Sequence, residues 1–243
     1  MRKLYDILKS FWTLQIVLAL TIAVCIAGSL VIPRNLAIFT GIDDTPLFRW
    51  LTEVPERGLT WWIYALVVMM GAAATSTAVC TMDALIKSAG RRDFLSRLLP
   101  QVMHMGVLLA LLGHLLTAAF GLKYDINVPE GEVAAIHDGM SVSVSGVRSE
   151  QDETGYYTAW EADVAVTKDG ATLKSALLRP VHPILMGQTG LFFKSISVEG
   201  QRAATIRVTK DPGASWALAG GILVAIGAAG FIIVRRPPPA GAA

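Results

Sequence analysis

Two of the protein's four histidines lie within one apolar run of membrane length, residues 101–120. They are His104 and His114, in the sequence QVMHMGVLLALLGHLLTAAF. Hydrocarbon offers an imidazole no water, so a histidine at this depth requires a partner such as a metal, a haem iron, a carboxylate or a neighbouring helix. An intramembrane ligand site is therefore the leading hypothesis.

The two imidazoles cannot both coordinate one haem from the same helix. His114 follows His104 by ten residues, which places it about 15 Å further along an α-helix and rotates it by about 280°. Either each histidine binds a separate group, or only one of them is functional. The competing interpretation is that each hydrogen-bonds to a neighbouring helix, or that His104 lies among lipid headgroups.

The remaining residues that do chemistry form no recognisable catalytic or metal motif. Cys25 and Cys80 both lie in apolar runs, and the sequence has no CxxC dithiol and no CxxCH for covalent haem. His137 and His182 have no metal-binding spacing around them, so we expect surface or hydrogen-bonded histidines. GxSxG, HExxH and phosphate-binding glycine loops are also missing from the sequence.

Composition indicates a membrane protein that crosses the bilayer several times. Of 243 residues, 53% are hydrophobic and 16% charged, with a formal net charge of +2. These values exclude a typical soluble enzyme and give no support to a nucleic-acid partner.

Four segments approach the ~20 apolar residues that a membrane-crossing helix needs. Residues 1–120 are predicted to be a three-helix membrane region, with helices at about 12–32, 61–81 and 102–120. The first is too long for a signal-peptide core and is expected to end at Pro33 as a retained helix. The fourth helix is predicted within residues 215–236, from about Trp216 to Val234.

Lysine and arginine placement predicts the orientation of these helices. The basic residues cluster at the N-terminus, in the loop 86–99 and at the C-terminus: Arg2, Lys3, Lys9, Lys87, Arg91, Arg92, Arg97, Arg235 and Arg236. The positive-inside rule therefore places both termini and the loop 86–99 in the cytoplasm, and residues 121–214 outside it.

Residues 121–214 are predicted to form a small β-rich extracytoplasmic domain, either a sandwich or an open barrel. Polar and apolar residues alternate along 141–147, 161–167 and 204–209. Turn sequences at 129–131, 138–139, 168–170 and 199–200 separate the strands. The tail 237–243 is expected to be disordered.

The fourth helix has small residues at four-residue spacing that predict close helix packing. We expect this interface, within the chain or against a partner, to include Gly213, Ala217, Gly221 and Ala225. Tryptophans near the outer helix ends are expected to form an aromatic belt, with Trp50 on the membrane surface.

Five segments, in the same order, resemble the ResB-type (CcsB) cytochrome c biogenesis family, of which this chain would be a short member. They are GSLVIP at 28–33, CTMD at 80–83, HMGVLL at 104–109, VHPILMG at 181–187 with LFFKS at 191–195, and DPG at 211–213. The family's exterior Asn-x-Pro appears here as His182-Pro183, and the exterior domain is shorter than in typical members.

The resemblance implies a subunit of the system II cytochrome c synthetase in the bacterial inner membrane, a non-catalytic or co-catalytic half of a haem lyase. Its partner would be a CcsA (ResC)-like membrane protein, and together they would export haem and attach it to apocytochrome c. The family's haem-ligand histidine maps onto His104, which would bind haem b transiently with a second ligand from the partner. His114 has no clear family counterpart.

Two other functions remain open at this level. One is a b-type haem subunit that transfers electrons in a respiratory complex. It is disfavoured because the other three predicted helices contain no histidine. The other is a scaffold without haem that docks a partner membrane protein.

Overall fold

The computed structural model describes residues 2–88, 94–155, 157–197 and 201–234. The arginines Arg91, Arg92, Arg235 and Arg236, the turn at 199–200 and the predicted disordered tail 237–243 lie outside the described residues. The described chain divides into a helical unit and a β-sheet unit.

The helical unit contains seven described α-helices. They are α1 (Arg2–Leu8), α2 (Phe11–Arg34), α3 (Leu36–Phe39), α4 (Leu47–Glu53), α5 (Trp61–Ser88), α6 (Phe94–Phe120) and α7 (Ala214–Val234). Four of them, α2, α5, α6 and α7, are long and apolar enough to cross a bilayer. The prediction of four such helices is therefore confirmed.

Three of these helices extend beyond the apolar runs that predicted them. Helix α5 continues past Thr81 because its polar end is stabilised locally: Lys87 pairs with Asp83 one turn earlier, at 2.8 Å. Helix α2 contains Pro33 instead of ending there, and the Asn35 amide closes it by donating to Ile32 O at 3.0 Å. Helix α6 already begins at Phe94. Hydropathy detects the membrane-spanning part of a helix but not its polar ends.

The chain between α2 and α5 folds onto the ends of those helices. Its α3, α4 and a 3₁₀ turn at Arg57–Thr60 contribute to an apolar cluster with Ile63 of α5. Trp50 is 7% exposed in this cluster and stacks on Phe39 with ring centroids 5.8 Å apart. Apolar partners within the chain therefore cover Trp50, and its position at the membrane surface stays a prediction.

Helices α6 and α7 pack antiparallel with almost no side chain between them. A Cβ added to Gly106 would lie 2.6 Å from Gly220 O, and one added to Gly113 would lie 2.6 Å from Ala217 N. Further along, a Cβ on Gly227 would lie 3.0 Å from Leu99 O. Backbone therefore meets backbone along this seam, as small residues allow between membrane helices.

The packing face of α7 differs from the predicted one. Gly213 and Ala217 do lie against α6, but the seam continues through Gly220 and Gly227. Gly221 would have open space for a Cβ, and Ala225 is exposed. Within this chain Gly221 and Ala225 therefore do not face α6, and their contact with a partner stays a prediction.

The β-sheet unit is a sandwich of two four-stranded antiparallel sheets. Its strands are β1 (Leu122–Pro129), β2 (Val133–Ala135), β3 (Met140–Gln151), β4 (Tyr157–Lys168), β5 (Ala171–Leu178), β6 (Ile184–Met186), β7 (Thr189–Ser197) and β8 (Ala203–Lys210). The orders are β1-β8-β7-β6 and β2-β3-β4-β5. Both sheets contribute valine, leucine and isoleucine to one buried core. The prediction of a β-rich domain is confirmed.

The alternating segments of the sequence lie inside three of the strands. Residues 141–147, 161–167 and 204–209 fall within β3, β4 and β8. The hairpin between β4 and β5 turns at Asp169 and Gly170, whose φ angles are 50° and 80°. Two consecutive residues with positive φ are typical of the type I′ turn that suits the twist of a hairpin.

Candidate functional site

His104 lies on α6 at a contact with α5. Its Nδ1 is 3.3 Å from Oε1 of Gln101, one turn earlier on the same helix, and 3.4 Å from Oγ1 of Thr81 on α5. The imidazole is half-buried, whereas Thr81 is only 1% exposed. The other ring nitrogen, Nε2, has no hydrogen-bond partner in the part of the chain that the structure describes. The described hydrogen bonds therefore hold the Nδ1 edge of the ring.

The segment 80–83 connects α5 to two neighbouring helices. Thr81 contacts His104 of α6, as described above. Cys80 Sγ lies 3.9 Å from Leu8 O and 3.7 Å from Lys9 O at the end of α1. Ser76, one turn earlier, donates to Leu8 O at 2.5 Å. These contacts hold the part of α5 that precedes Thr81 against the end of α1.

Asp83 completes this segment with a cluster of polar contacts. Its carboxylate accepts a hydrogen bond from Tyr5 Oη at 3.0 Å and pairs with Lys9 at 3.0 Å and Lys87 at 2.8 Å. Sequence reasoning did not find the contacts of Tyr5 and Ser76. The only indication in the sequence was the family-like CTMD segment at 80–83, which contributes three of the residues involved.

His114 lies apart from this contact. It is exposed on α6, and no hydrogen bond to it occurs among the described residues. Its position ten residues after His104 corresponds to about 15 Å along the helix. The structure therefore does not bring the two candidate histidines together.

His137 and His182 have separate surroundings in the β-sheet unit. His137 lies between Tyr124 and Thr189: its amide donates to Tyr124 Oη at 3.0 Å, and its Nε2 is 2.9 Å from Thr189 Oγ1. Burial lowers the pKa of His137 below its ordinary value, against a smaller opposing effect of Asp138. His182 is exposed in a turn after Arg179. Both surroundings fit the expected hydrogen-bonded and surface histidines.

Ligand groups elsewhere do not form a competing centre. Within the described ranges, no group of three or more histidine, cysteine, aspartate or glutamate side chains could hold a metal ion. A cavity of about 450 Å³ is lined by Trp50 together with Ala37, Ile38, Thr40, Glu53, Val54 and Pro55. It contains no imidazole or thiol.

The His104 imidazole is a group that can coordinate one side of a haem iron. A neutral imidazole is an ordinary axial ligand of haem iron. A six-coordinate iron needs a second axial ligand, and α2, α5 and α7 contain no histidine. These three helices therefore place no second histidine beside His104.

Comparison with solved structures gives a structural likeness over most of this chain. The likeness is to "Cytochrome c Heme Lyase CcmF". The two chains superpose with a TM-score of 0.49 at 17% sequence identity, over 82% of this chain and 34% of that one. This chain thus spans about a third of that protein's length. No protein-family model and no curated protein matches the sequence. A likeness of this size assigns neither a family nor an activity, so membership of the ResB-type family stays a prediction.

Proposed function

We propose that this protein is a ResB-like subunit of a cytochrome c synthetase complex, which supports haem export and the attachment of haem to apocytochrome c. The main support is the environment of His104. Its Nδ1 contacts Gln101 and Thr81, and its Nε2 has no partner among the described residues. An imidazole held in this way is suited to coordinate iron. His104 also begins one of the segments that resemble the family.

Haem b would be a transient cargo of this chain. His104 would supply one axial ligand, and a CcsA (ResC)-like membrane partner would supply the other. Thr81 and Gln101 would orient the ring, and the apolar surfaces of α5 and α6 would keep water from the iron. The chain would thus be a non-catalytic or co-catalytic half of the complex.

The proposed orientation gives each unit a role in that transfer. In a bacterial inner membrane with both termini in the cytoplasm, His104 would lie in the cytoplasmic half of α6, ten residues after the helix begins at Phe94. The β-sheet unit would face the outside, where apocytochrome c would dock. His114 would lie about 15 Å further outward along the helix, as a second station or a packing residue.

Replacement of the two membrane histidines tests this function. In the complex with the partner, His104→Ala should abolish or strongly reduce the recovered haem and block holocytochrome c maturation. His114→Ala, a matched change on the same helix, should have a milder effect. Added imidazole should partly restore function to His104→Ala, because it can occupy the space that the side chain leaves. Equal thermal unfolding of the two variants would show that both are folded.

The same samples separate the alternative functions. Stoichiometric, reversibly reducible haem in the purified chain would indicate an electron-transfer subunit. A complex without any Soret band would indicate a scaffold. Retained haem and maturation in His104→Ala, with loss of both in His114→Ala, would contradict the assignment of His104 and move the site further along α6.

A further inference from the structure

The neighbours of His104 favour one of its two neutral tautomers. Gln101 Oε1 lies 3.3 Å from Nδ1, and because an amide oxygen only accepts hydrogen bonds, this contact favours a proton on Nδ1. The Thr81 hydroxyl, 3.4 Å from the same nitrogen, can accept from that N–H as well. The neutral ring then has its lone pair on Nε2.

We propose that Gln101 and Thr81 are positioning residues that hold His104 as the Nδ1–H tautomer, which leaves Nε2 as the atom that binds iron. The tautomer rests on the geometry alone, and only the identity of the ligand rests on the proposed function. A histidine that binds a metal through one nitrogen ordinarily donates its other N–H to an oxygen, which fixes the ring orientation and raises its basicity. The two oxygens at His104 meet that requirement.

The two positioning residues act from different directions. Gln101 is three residues before His104, so the two side chains share one face of α6. Thr81 belongs to α5, and its hydroxyl is placed by the packing of that helix. Thr81 is 1% exposed, so its contact with His104 is sheltered from water. A hydrogen bond in such an interior is stronger than one at the surface. The ring orientation therefore depends on the α5–α6 contact.

Cys80 and Asp83 extend this dependence to α1. They contact the end of α1 on either side of Thr81, through Leu8 O and through Tyr5 and Lys9. A displacement of α1 would therefore be transmitted to the residue that orients His104. The CTMD segment thus has a physical role: Thr81 positions the imidazole, and Cys80 and Asp83 anchor this part of α5 to α1.

A purely structural interhelical hydrogen bond is the competing explanation. Such a bond would hold α5 against α6 with either tautomer, and Nε2 would have no role. The two explanations differ in the protonated nitrogen and in what its loss does to ligand binding. Both quantities are measurable without any assay of cytochrome maturation.

Nuclear magnetic resonance of the full chain tests the tautomer directly. The chain, with ¹⁵N-labelled histidine, would be reconstituted in lipid vesicles without haem, and the His104 signal identified by its loss in His104→Ala. We expect the Nδ1–H tautomer in the native chain. Combined replacement Thr81→Val and Gln101→Leu should move the population toward the Nε2–H form that free histidine favours in water. A native chain with the proton on Nε2, or a double variant with an unchanged tautomer, would overturn the proposal.

Matched variants separate positioning from general damage to the helix contact. Thr81→Ser keeps the hydroxyl and should retain the native tautomer, whereas Thr81→Val removes it at nearly the same volume. Thr77→Val is the control on the same helix, because among the described residues that hydroxyl bonds only within α5, to Ala73 O at 2.8 Å. Equal effects of Thr77→Val and Thr81→Val on the tautomer would contradict a specific role of Thr81.

Titration with ferric protoporphyrin IX adds the ligand. The double variant should bind it about 10- to 100-fold more weakly than the native chain, the usual cost of removing an outer-shell partner of a metal-binding histidine. Unchanged affinity in His104→Ala, together with the expected tautomer in the native chain, would contradict the proposed haem site and leave the positioning intact. A native tautomer on Nε2 would contradict the positioning, whatever the affinity.

Discussion

Adjacent glycines on α7 provide a sharp test of how the membrane helices pack. We predict that Gly220→Ala destabilises the helical unit and that Gly221→Ala does not. Each change adds one methyl group, and each favours the helix by the same amount, because alanine has about 1 kcal/mol better helix propensity than glycine. They differ only in the side of the helix on which the methyl group lies.

The structure sets the size of the difference. A Cβ on Gly220 would lie 2.5 Å from both Ala110 N and Gly106 O, whereas one on Gly221 would have nothing within 4 Å. An ordinary contact begins at 3.4 Å, so α6 and α7 must separate locally by 3.4 − 2.5 = 0.9 Å. Backbone atoms cannot rotate away as a side chain can. Overpacking of this kind costs about 1–3 kcal/mol.

Thermal unfolding of the detergent-solubilised chain measures the effect. A difference of this size should place the Tm of Gly220→Ala below that of Gly221→Ala by roughly 2–12 °C in a chain of about this length. Gly221→Ala should leave the Tm unchanged or raise it slightly. Equal loss in both variants would mean that the methyl group acts through something other than the α6–α7 seam. A larger loss in Gly221→Ala would mean that α7 presents its other face to α6.

Two further predictions concern orientation and pH. In a background without Cys25 and Cys80, Ala89→Cys should be shielded from a membrane-impermeant thiol reagent in intact cells, and Lys168→Cys should react. The reverse labelling pattern would invert the topology and remove the proposed haem site on the inner side. Burial lowers the pKa of His137, so the unfolded chain binds the proton more readily than the folded chain. The stability that neutral His137 contributes is therefore present above about pH 6.5 and is lost as the pH falls below it. The protection factors of β1 and β7 amides, which compare each exchange rate with the intrinsic rate at the same pH, should fall between pH 7.5 and pH 5. His137→Gln should remove that part of the change, and an equal fall in the variant would show that other groups cause it.

The packing face of α7 shows what a regular spacing in sequence does and does not specify. Each four-residue step turns a helix by about 40° more than a full turn, so the three steps from Gly213 to Ala225 rotate by about 120°. Alternating steps of four and three drift by only about 20° per seven residues. The observed seam follows Gly213, Ala217, Gly220, Val224 and Gly227 in that alternating pattern. The sequence shows that α7 packs closely, but several faces offer small residues, and only the partner helix selects one.

The β-sheet unit was easier to predict than the contacts around His104. Alternation of polar and apolar residues marks β3, β4 and β8 because one face of each strand is buried. Short strands such as β2 and β6 have three residues each, too few for a pattern. The contact of Thr81 with His104 joins residues 23 positions apart, and no local rule of sequence reports it. The same holds for Ser76 and Leu8, at 68 positions.

Helix α6 explains why the two membrane histidines are not equivalent. Gly106 and Gly113 occupy its face toward α7, and His104 lies at its contact with α5. His114 is on neither face and is exposed. Unpaired imidazole is costly in hydrocarbon, so His114 needs a partner from outside this chain if α6 spans the membrane at that depth. In contrast, the neighbours of His104 satisfy one nitrogen and leave the other for a ligand. These surroundings support His104 rather than His114 as the ligand in the proposed function, and we predict that the face of His114 contacts another molecule.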